Sequence, residues 1–278
     1  MATIFHEPEL RPRERYSQLE AAVQRFPEDF PTIDSARIFM SEVVVPPSLR
    51  WAYKGNGKTG TSSTKRFLFE LEFGVSLTTQ IDPPSDINPD AAAHRLTSAN
   101  VYREISALSS GLAVLETTLR LTTVRNPTSR ATSAFLYLCA SSDQRHVWFS
   151  DERLRMNALV GFDWQRDVRT SRGMDKFLNY IQIMIENHGV DTINRHWRPQ
   201  VASIKPRVLR PHLIGKTEEM ETFYRDIAER LDRPLPDNWV TPRANRNVSD
   251  FDPETLLSAE ALSRIEVIYA KDFEEFGY

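Results

Sequence analysis

Residues 51–63 read Trp51-Ala52-Tyr53-Lys54-Gly55-Asn56-Gly57-Lys58-Thr59-Gly60-Thr61-Ser62-Ser63, a short apolar-leaning strand that runs into a glycine-rich turn. The turn ends in a lysine and small hydroxyl residues, and an amphipathic helix follows, with an apolar side made of Phe67, Leu68, Leu71 and Phe73. Glycines let the backbone curl so that successive N–H groups point inward, the helix N-terminus adds partial positive charge, and Lys58 adds a full one. The stretch therefore predicts a phosphate-binding loop.

The nearest general motif is the Walker A loop, G-x-x-x-x-G-K-[ST]. Gly57-Lys58-Thr59 supplies its second half, but Ala52 stands where the first glycine belongs. A glycine-rich turn of this kind also occurs as a plain tight connection between a strand and a helix. Both interpretations stay open on this stretch alone.

Composition narrows the class of protein. The chain has 278 residues, 40% of them hydrophobic and 26% charged, with a net charge of −3, so no basic field predicts a nucleic-acid or membrane partner. The single cysteine, Cys139, lies in an apolar run, which predicts a buried, inert thiol and no disulfide framework. Residues 1–15 lack an apolar signal region, and no run of about 18 apolar residues occurs, so we expect a cytoplasmic protein.

Strand, loop and helix patterns alternate along the chain. Residues 1–36 are expected to form a polar N-terminal extension with one helix at 13–25, and residues 37–278 a single α/β domain. Further predicted strands span 37–45, 115–124 (with the strongest signal at 119–124) and 206–214, and further predicted helices span 90–108, 128–142, 175–188, 218–231 and 258–273. This order predicts a P-loop-like, three-layer α/β domain with a central parallel β-sheet flanked by helices. A loop at 81–89, dense in Pro, Asp and Ser, is expected to be a functional lid.

A second anion site is predicted where the 119–124 strand ends. Arg125 follows the strand, Pro127 suits the start of a helix, and Ser133 lies about two turns further along that helix. Arg125 and Ser133 could close on one phosphate from two directions; alternatively, Arg125 pairs with a carboxylate and Ser133 faces solvent. Because ligands bind beyond the carboxyl ends of parallel strands, the Lys58 loop and the Arg125 turn should share one rim.

Several of these segments resemble the sulfotransferases that use 3′-phosphoadenosine 5′-phosphosulfate (PAPS). Lys58-Thr59-Gly60-Thr61-Ser62-Ser63 resembles their 5′-phosphosulfate loop, and Arg125-Asn126-Pro127 with Arg130 and Ser133 resembles their 3′-phosphate segment. The segments that follow are most similar to the carbohydrate (Golgi-type) branch and its bacterial relatives: His196-Trp197-Arg198-Pro199-Gln200, Leu213-Ile214-Gly215-Lys216-Thr217-Glu218, and Ile268-Tyr269-Ala270-Lys271-Asp272-Phe273 with Phe276-Gly277-Tyr278. The resemblance runs from about residue 50 onward, with Gly57 in place of the usual proline.

The resemblance implies a role for each site residue. It implies in-line sulfuryl transfer from PAPS, released as PAP, to a hydroxyl of a glycan or other small-molecule acceptor, with no metal. Lys58 and His94 would be catalytic, His94 as the general base. Cofactor contacts would come from Lys58, Thr59, Gly60, Thr61, Ser62, Ser63, Arg125 and Ser133, and also from Asn245 and Asn247. Acceptor contacts would come from His196, Trp197 and Trp148, with His196 also the second candidate for the base.

Two other functions are weighed against this one. A P-loop NTP-binding protein or kinase needs an aspartate at the end of the 119–124 strand to hold Mg²⁺, but Arg125 is there. A non-catalytic nucleotide-binding or partner-binding protein on the same fold is the other alternative. Five arginines are consistent either with an anionic acceptor or with an internally paired surface: Arg153, Arg155, Arg166, Arg169 and Arg172.

Overall fold

The computed structural model describes residues 4–81, 91–236 and 252–278. Its strands are β1 (Val43–Val45), β2 (Trp51–Lys54), β3 (Arg103–Glu104), β4 (Leu119–Val124) and β5 (Leu213–Lys216). Its α-helices are α1 (Pro12–Arg25), α2 (Ile33–Glu42), α3 (Thr61–Phe73), α4 (Ala91–Arg95), α5 (Pro127–Asp143), α6 (Ser150–Val160), α7 (Ser171–His188), α8 (Gln200–Ile204), α9 (Pro206–Leu209), α10 (Met220–Arg230), α11 (Ala259–Ile268) and α12 (Ala270–Phe276).

The strands form one sheet in the order β3-β1-β2-β4-β5. β2 pairs with β4, and β4 with β5, in parallel, which confirms the predicted α/β fold with its central parallel strands. β1 is antiparallel to both β2 and β3, so the sheet is mixed rather than wholly parallel. The connection from β1 to β2 spans only residues 46–50, and a parallel pairing would need a crossover of a dozen residues or more.

Alternate residues of the strands face two different helical layers. Val43, Val45 and Ala52 pack in a cluster with residues of α1, α2, α8 and α9. Val44 and Tyr53, on the opposite face, pack with residues of α3 and α10. This alternation, which follows the two-residue period of a strand, produces the three predicted layers. Phe5, Leu19, Ala22 and Phe30 belong to the first cluster, so the first 36 residues contribute to the same core as the sheet.

The strand predicted at 37–45 is wrong over most of its length. Helix α2 continues to Glu42, and only the last three residues of that prediction form β1. Thr32 caps the helix by accepting a hydrogen bond from the backbone N–H of Ser35, and Ala36, Phe39 and Met40 are buried at helical spacing. The apolar run therefore follows a period of 3.6 residues and not of two.

Other predicted boundaries also differ from the structure. The helix predicted at 90–108 is observed only at Ala91–Arg95, because Val44 and Val45 pair with β3 and hold residues 103–104 extended. The strand predicted at 206–214 begins instead with helix α9, since Pro206 is suited to the first helical position. The strand itself spans Leu213–Lys216, and the helix predicted at 258–273 is divided into α11 and α12.

The sheet brings the two predicted phosphate loops together. β2 and β4 are adjacent and parallel, with Lys54 in register with Thr122. The loop that contains Lys58 follows β2, and the turn that contains Arg125 follows β4, so both leave the same edge of the sheet. Among the described residues, no helix is long and apolar enough to cross a membrane.

Candidate active site

The loop between β2 and α3 has the backbone of an anion site. Lys58 and Gly60 both adopt positive φ angles, 66° and 76°. The hydroxyls of Thr59 and Thr61 both donate to the carbonyl oxygen of Asn56, at 2.8 and 2.5 Å, and hold the turn closed. Gly60 precedes α3 and cannot cap it with a side chain, so no side chain at that position competes for the N–H groups of the first turn. Such N–H groups bind anions.

A chain of buried hydroxyls fastens this loop to the neighbouring strand. Thr123 of β4 lies 2.8 Å from the hydroxyl of Thr59 and 2.8 Å from that of Tyr53. Thr59, Tyr53 and Thr123 are all fully buried. A shift of Thr59 relative to β4 would leave a buried hydroxyl unpaired, so these contacts hold the Thr59 end of the loop against the strand.

Lys58 has few stabilising contacts in this structure. Its ammonium lies 3.9 Å from the centre of the Tyr137 ring, and no salt bridge joins it to a carboxylate within the described parts of the chain. Burial, with further contributions from the charges of Arg125 and Arg130, lowers its pKa to about 8. A bound anion would offset all three effects, so the cationic form of Lys58 is stabilised most when an anion occupies the loop.

Arg125 lies where the sequence predicts the second anion site. Its Nε donates to Ser129 Oγ at 2.9 Å, and no carboxylate forms a salt bridge with it over the residues described. Burial lowers its pKa, while the charge of Glu218 acts in the opposite direction. Ser133 lies half-buried on α5, as predicted, and Ser129 is an additional hydroxyl that the sequence analysis did not select.

Arg130 connects the two loops. Only 1% of its surface is exposed, and its Nε donates to the carbonyl oxygen of Gly57 at 2.9 Å. Its Nη2 donates to the carbonyl oxygen of Arg195 at 3.3 Å. Arg130 therefore serves as a buried brace that ties the carbonyl of Gly57 in the loop to the carbonyl of Arg195.

The backbone of residues 195–196 lies so close to Gly57 that the proline usual at this position in the family loop would not fit. A Cβ atom there would lie 2.6 Å from the carbonyl oxygen of Arg195 and 2.8 Å from the Cα of His196. Both neighbours are backbone atoms, which cannot rotate away as a side chain would. Any side chain at position 57 would push the segment that carries His196 away from the loop.

We expect Gly57→Ala to lower the free energy of unfolding by about 1–3 kcal/mol, as overpacking of a buried site does. Urea denaturation measures this, with Gly55→Ala as the matched control, since a Cβ at Gly55 meets side-chain atoms and no backbone, the nearest being the methyl group of Thr61 at 3.0 Å. Equal losses in the two variants would contradict the proposed backbone collision.

His94 lies next to the phosphate loop. Its Nε2 is 3.1 Å from Ser62 Oγ, on the first turn of α3. The residue keeps an exposed surface, yet desolvation of the imidazole lowers its pKa, together with the charges of Lys65, Arg195 and Lys58, to about 4. His94 is therefore neutral at neutral pH and able to accept a proton.

The predicted acceptor residues occupy different environments. His196 packs its ring 5.4 Å from that of Tyr137, on which Lys58 also lies, and its Nδ1 is 2.8 Å from Asn194 Oδ1. Burial and the charge of Arg195 lower the pKa of His196 well below its ordinary value. Trp148 is 37% exposed, whereas Trp197 is 1% exposed and belongs to the core, so its ring offers no face to an acceptor.

Three charged residues near the histidines were not predicted. Arg195 lowers the pKa of both His94 and His196, and its Nε lies 3.9 Å from Glu42 Oε1. Lys65, one turn along α3 from Thr61, has a pKa lowered to about 8 by burial and by Arg195. Glu42 pairs with the buried Lys54. Burial raises the pKa of Glu42, but the charges of Lys54 and Arg195 outweigh it and hold that pKa below its usual value. The sequence offered one signal for Arg195, namely its position directly before the segment that begins with His196.

The arginines at 153–172 are mostly engaged within the protein. Arg169 pairs with Asp143 and Arg172 with Asp167, while the Nη atoms of Arg153 donate to Ser141 and to backbone carbonyls. Of the two interpretations of this cluster, the paired surface is the one that the structure favours. Asn245, Asn247 and residues 82–90 lie outside the described residues. Within the described ranges, no group of three or more His, Cys, Asp or Glu residues could hold a metal ion.

Comparison with known proteins agrees with this geometry. Residues 57–278 match the Sulfotransferase family. The chain belongs to the sulfotransferase family. No curated protein and no solved structure was found to match it. Membership in the sulfotransferase family identifies a transferase of sulfuryl groups and confirms the family resemblance seen in the sequence. The match begins inside the phosphate loop, so α1, α2, β1 and β2 lie outside it.

Proposed function

We propose that the protein transfers a sulfuryl group from PAPS to a hydroxyl of a carbohydrate or a similar acceptor. The observation that carries this proposal is a pair of desolvated cations, Lys58 and Arg125, at the ends of two adjacent parallel strands. Neither forms a salt bridge with a carboxylate in the portions of the chain described. Two such cations at the same edge of the sheet suit a ligand with two separate anionic groups, as PAPS has at its 5′ and 3′ positions.

The chain offers distinct contacts to each end of that donor. The uncapped first turn of α3, with Thr61, Ser62 and Ser63, is available to the 5′-phosphate. Arg125 lies just before α5, and Ser129 and Ser133 lie on the first turns of that helix; all three are available to the 3′-phosphate. A planar guanidinium recognises phosphate oxygens in pairs, so Arg125 would favour PAPS over nucleotides that lack the 3′-phosphate.

When bound, PAPS supplies the sulfuryl group, whose sulfur bonds to the acceptor oxygen as its bond to the 5′-phosphate oxygen breaks. Lys58 stabilises the negative charge that the departing phosphate oxygen takes with the electron pair. His94, neutral at working pH, takes the proton of the acceptor hydroxyl. Arg195 and Lys65 lie close enough to His94 to lower its pKa, and they place positive charge beside the proposed base.

A P-loop NTPase or kinase remains the alternative, but the structure does not favour it. The residue that follows β4 is Arg125, where such enzymes need a carboxylate for Mg²⁺. Two observations support the transferase instead: the desolvated arginine and the family match.

Calorimetric titration with PAP and with ADP, both without Mg²⁺, tests the proposed function. We expect PAP to bind more tightly, and Arg125→Ala to weaken PAP by about 10- to 100-fold, because a charge-assisted hydrogen bond contributes about 1.5–3 kcal/mol. ADP binding should change little in that variant. Arg166→Ala removes an arginine whose side chain is 87% exposed and is the matched control. Equal affinity for PAP and ADP, or Mg²⁺–ATP binding in their place, would overturn the proposal.

A further inference from the structure

The side chain of Gln200 joins the two phosphate loops. Gln200 is 0% exposed and begins α8. Its Oε1 accepts hydrogen bonds from the backbone N–H of Arg125 at 2.9 Å and from Asn56 Nδ2 at 3.3 Å. Its Nε2 donates to the carbonyl oxygen of Arg125 at 2.9 Å. One buried amide thus contacts the loop after β2 and both backbone groups of the residue that follows β4.

Asp272 fixes the position of Gln200. The Oδ2 atom of Asp272 accepts from the backbone N–H of Gln200 at 2.7 Å, and its Oδ1 accepts from that of Val201 at 2.8 Å. Asp272 is 0% exposed and lies on α12, 72 residues further along the chain. The carboxylate therefore caps α8 and holds the glutamine from behind, without touching either loop through a contact that the structure gives.

We propose that Gln200, held by Asp272, is a positioning residue that sets the spacing between the two phosphate sites. This inference rests on the proposed function, because it assigns the sites to the 5′- and 3′-phosphates of one ligand. A glutamine suits the task because its amide both donates and accepts, so it pairs with the N–H and the C=O of Arg125 together. The selection it produces is for ligands that carry both phosphates, not for either phosphate alone.

The reason lies in the entropy of binding a two-point ligand. If the two loops keep one separation, the second phosphate of a bisphosphate meets a site that is already in place. If the loops move independently, binding must also freeze their separation, and the advantage of linking the phosphates falls. Each site alone, however, should bind a single phosphate as before.

The variant Gln200→Met tests this proposal, and Asp272→Asn is the second variant. Gln182→Met is the control, because the amide of Gln182 accepts a hydrogen bond from Arg264, away from the two loops. Affinities for PAP, 5′-AMP and 3′-AMP are measured by calorimetry, and the melting temperature is recorded. We expect PAP to weaken about tenfold in Gln200→Met, and less in Asp272→Asn, while both monophosphates change by less than about twofold.

The outcomes separate the inference from the proposed function. Unchanged PAP affinity in both variants overturns the inference, and so does an equal loss for PAP and the monophosphates, since that is damage to the sites themselves. If Gln200→Met does not fold, Asp272→Asn decides by the same comparison. Failure of the wild-type protein to bind PAP overturns the proposed function instead.

Discussion

Replacing His94 with glutamine is expected to lower kcat for sulfuryl transfer by about 10²- to 10⁴-fold, the usual contribution of a general base. Glutamine keeps a polar atom that can meet Ser62, so the loop should remain intact. PAP affinity should change little. His188→Gln, at an exposed position near the end of α7, is the matched control and should retain full activity.

The pH dependence gives a second readout of the same residue. Desolvation, with Lys65 and Arg195, lowers the His94 pKa to about 4, so the free protein loses the basic form only below that pH. Negative charge bound beside these cations favours the protonated imidazole and raises the pKa. The acid limb of kcat should therefore lie at higher pH than that of kcat/KM, and should disappear in His94→Gln. An acid limb that survives in this variant would assign the base elsewhere, with His196 next in line.

Lys58→Met is expected to lower kcat by about 10²- to 10³-fold, the effect of removing one donor from a developing negative charge. Methionine has an unbranched side chain of similar length whose thioether can meet the Tyr137 ring in place of the ammonium, so the loss should reflect the charge rather than the packing. PAP affinity should fall by a smaller factor, because the loop backbone remains. Single-turnover kinetics separate the two effects, and Lys271→Met, at an exposed position of α12, serves as the control. A variant that loses affinity but keeps kcat would make Lys58 a binding residue only.

The parts of the fold that could be predicted are those with local signals. Glycines bound the 55–60 turn, Pro127 begins α5 and an apolar run marks β4, so the two phosphate loops were predicted at the edge where they lie. The prediction of a strand at 37–45 was wrong because apolar residues such as Ile38 and Phe39 favour a strand by residue type. The contacts with the core decide the outcome, and they bury this segment at helical spacing. β3, with two residues, exists only through its pairing with β1.

The site residues that could not be predicted act through contacts distant in sequence. Glu42 contacts Arg195, and Gln200 contacts both Asn56 and Arg125. The two residues of the Gln200–Asn56 pair are more than a hundred positions apart in the sequence. No periodicity or spacing rule reports such pairs without the fold. Trp197 shows the opposite case. Its place beside His196 in the sequence suggested an acceptor contact, but the structure buries its ring in a core cluster.

The brace from Asp272 to Gln200 has a consequence for biosynthesis. The brace is complete only when residues 56, 125, 200 and 272 are all in place. Domains form as the chain emerges from the ribosome, and contacts of high sequence separation form late. A nascent chain can thus complete β2 and β4 while residues 270–276 are still to be made, yet the proposed selectivity for a bisphosphate would arise only when α12 docks. Under the proposal above, tight binding of a bisphosphate would then follow the docking of α12 rather than the formation of the sheet.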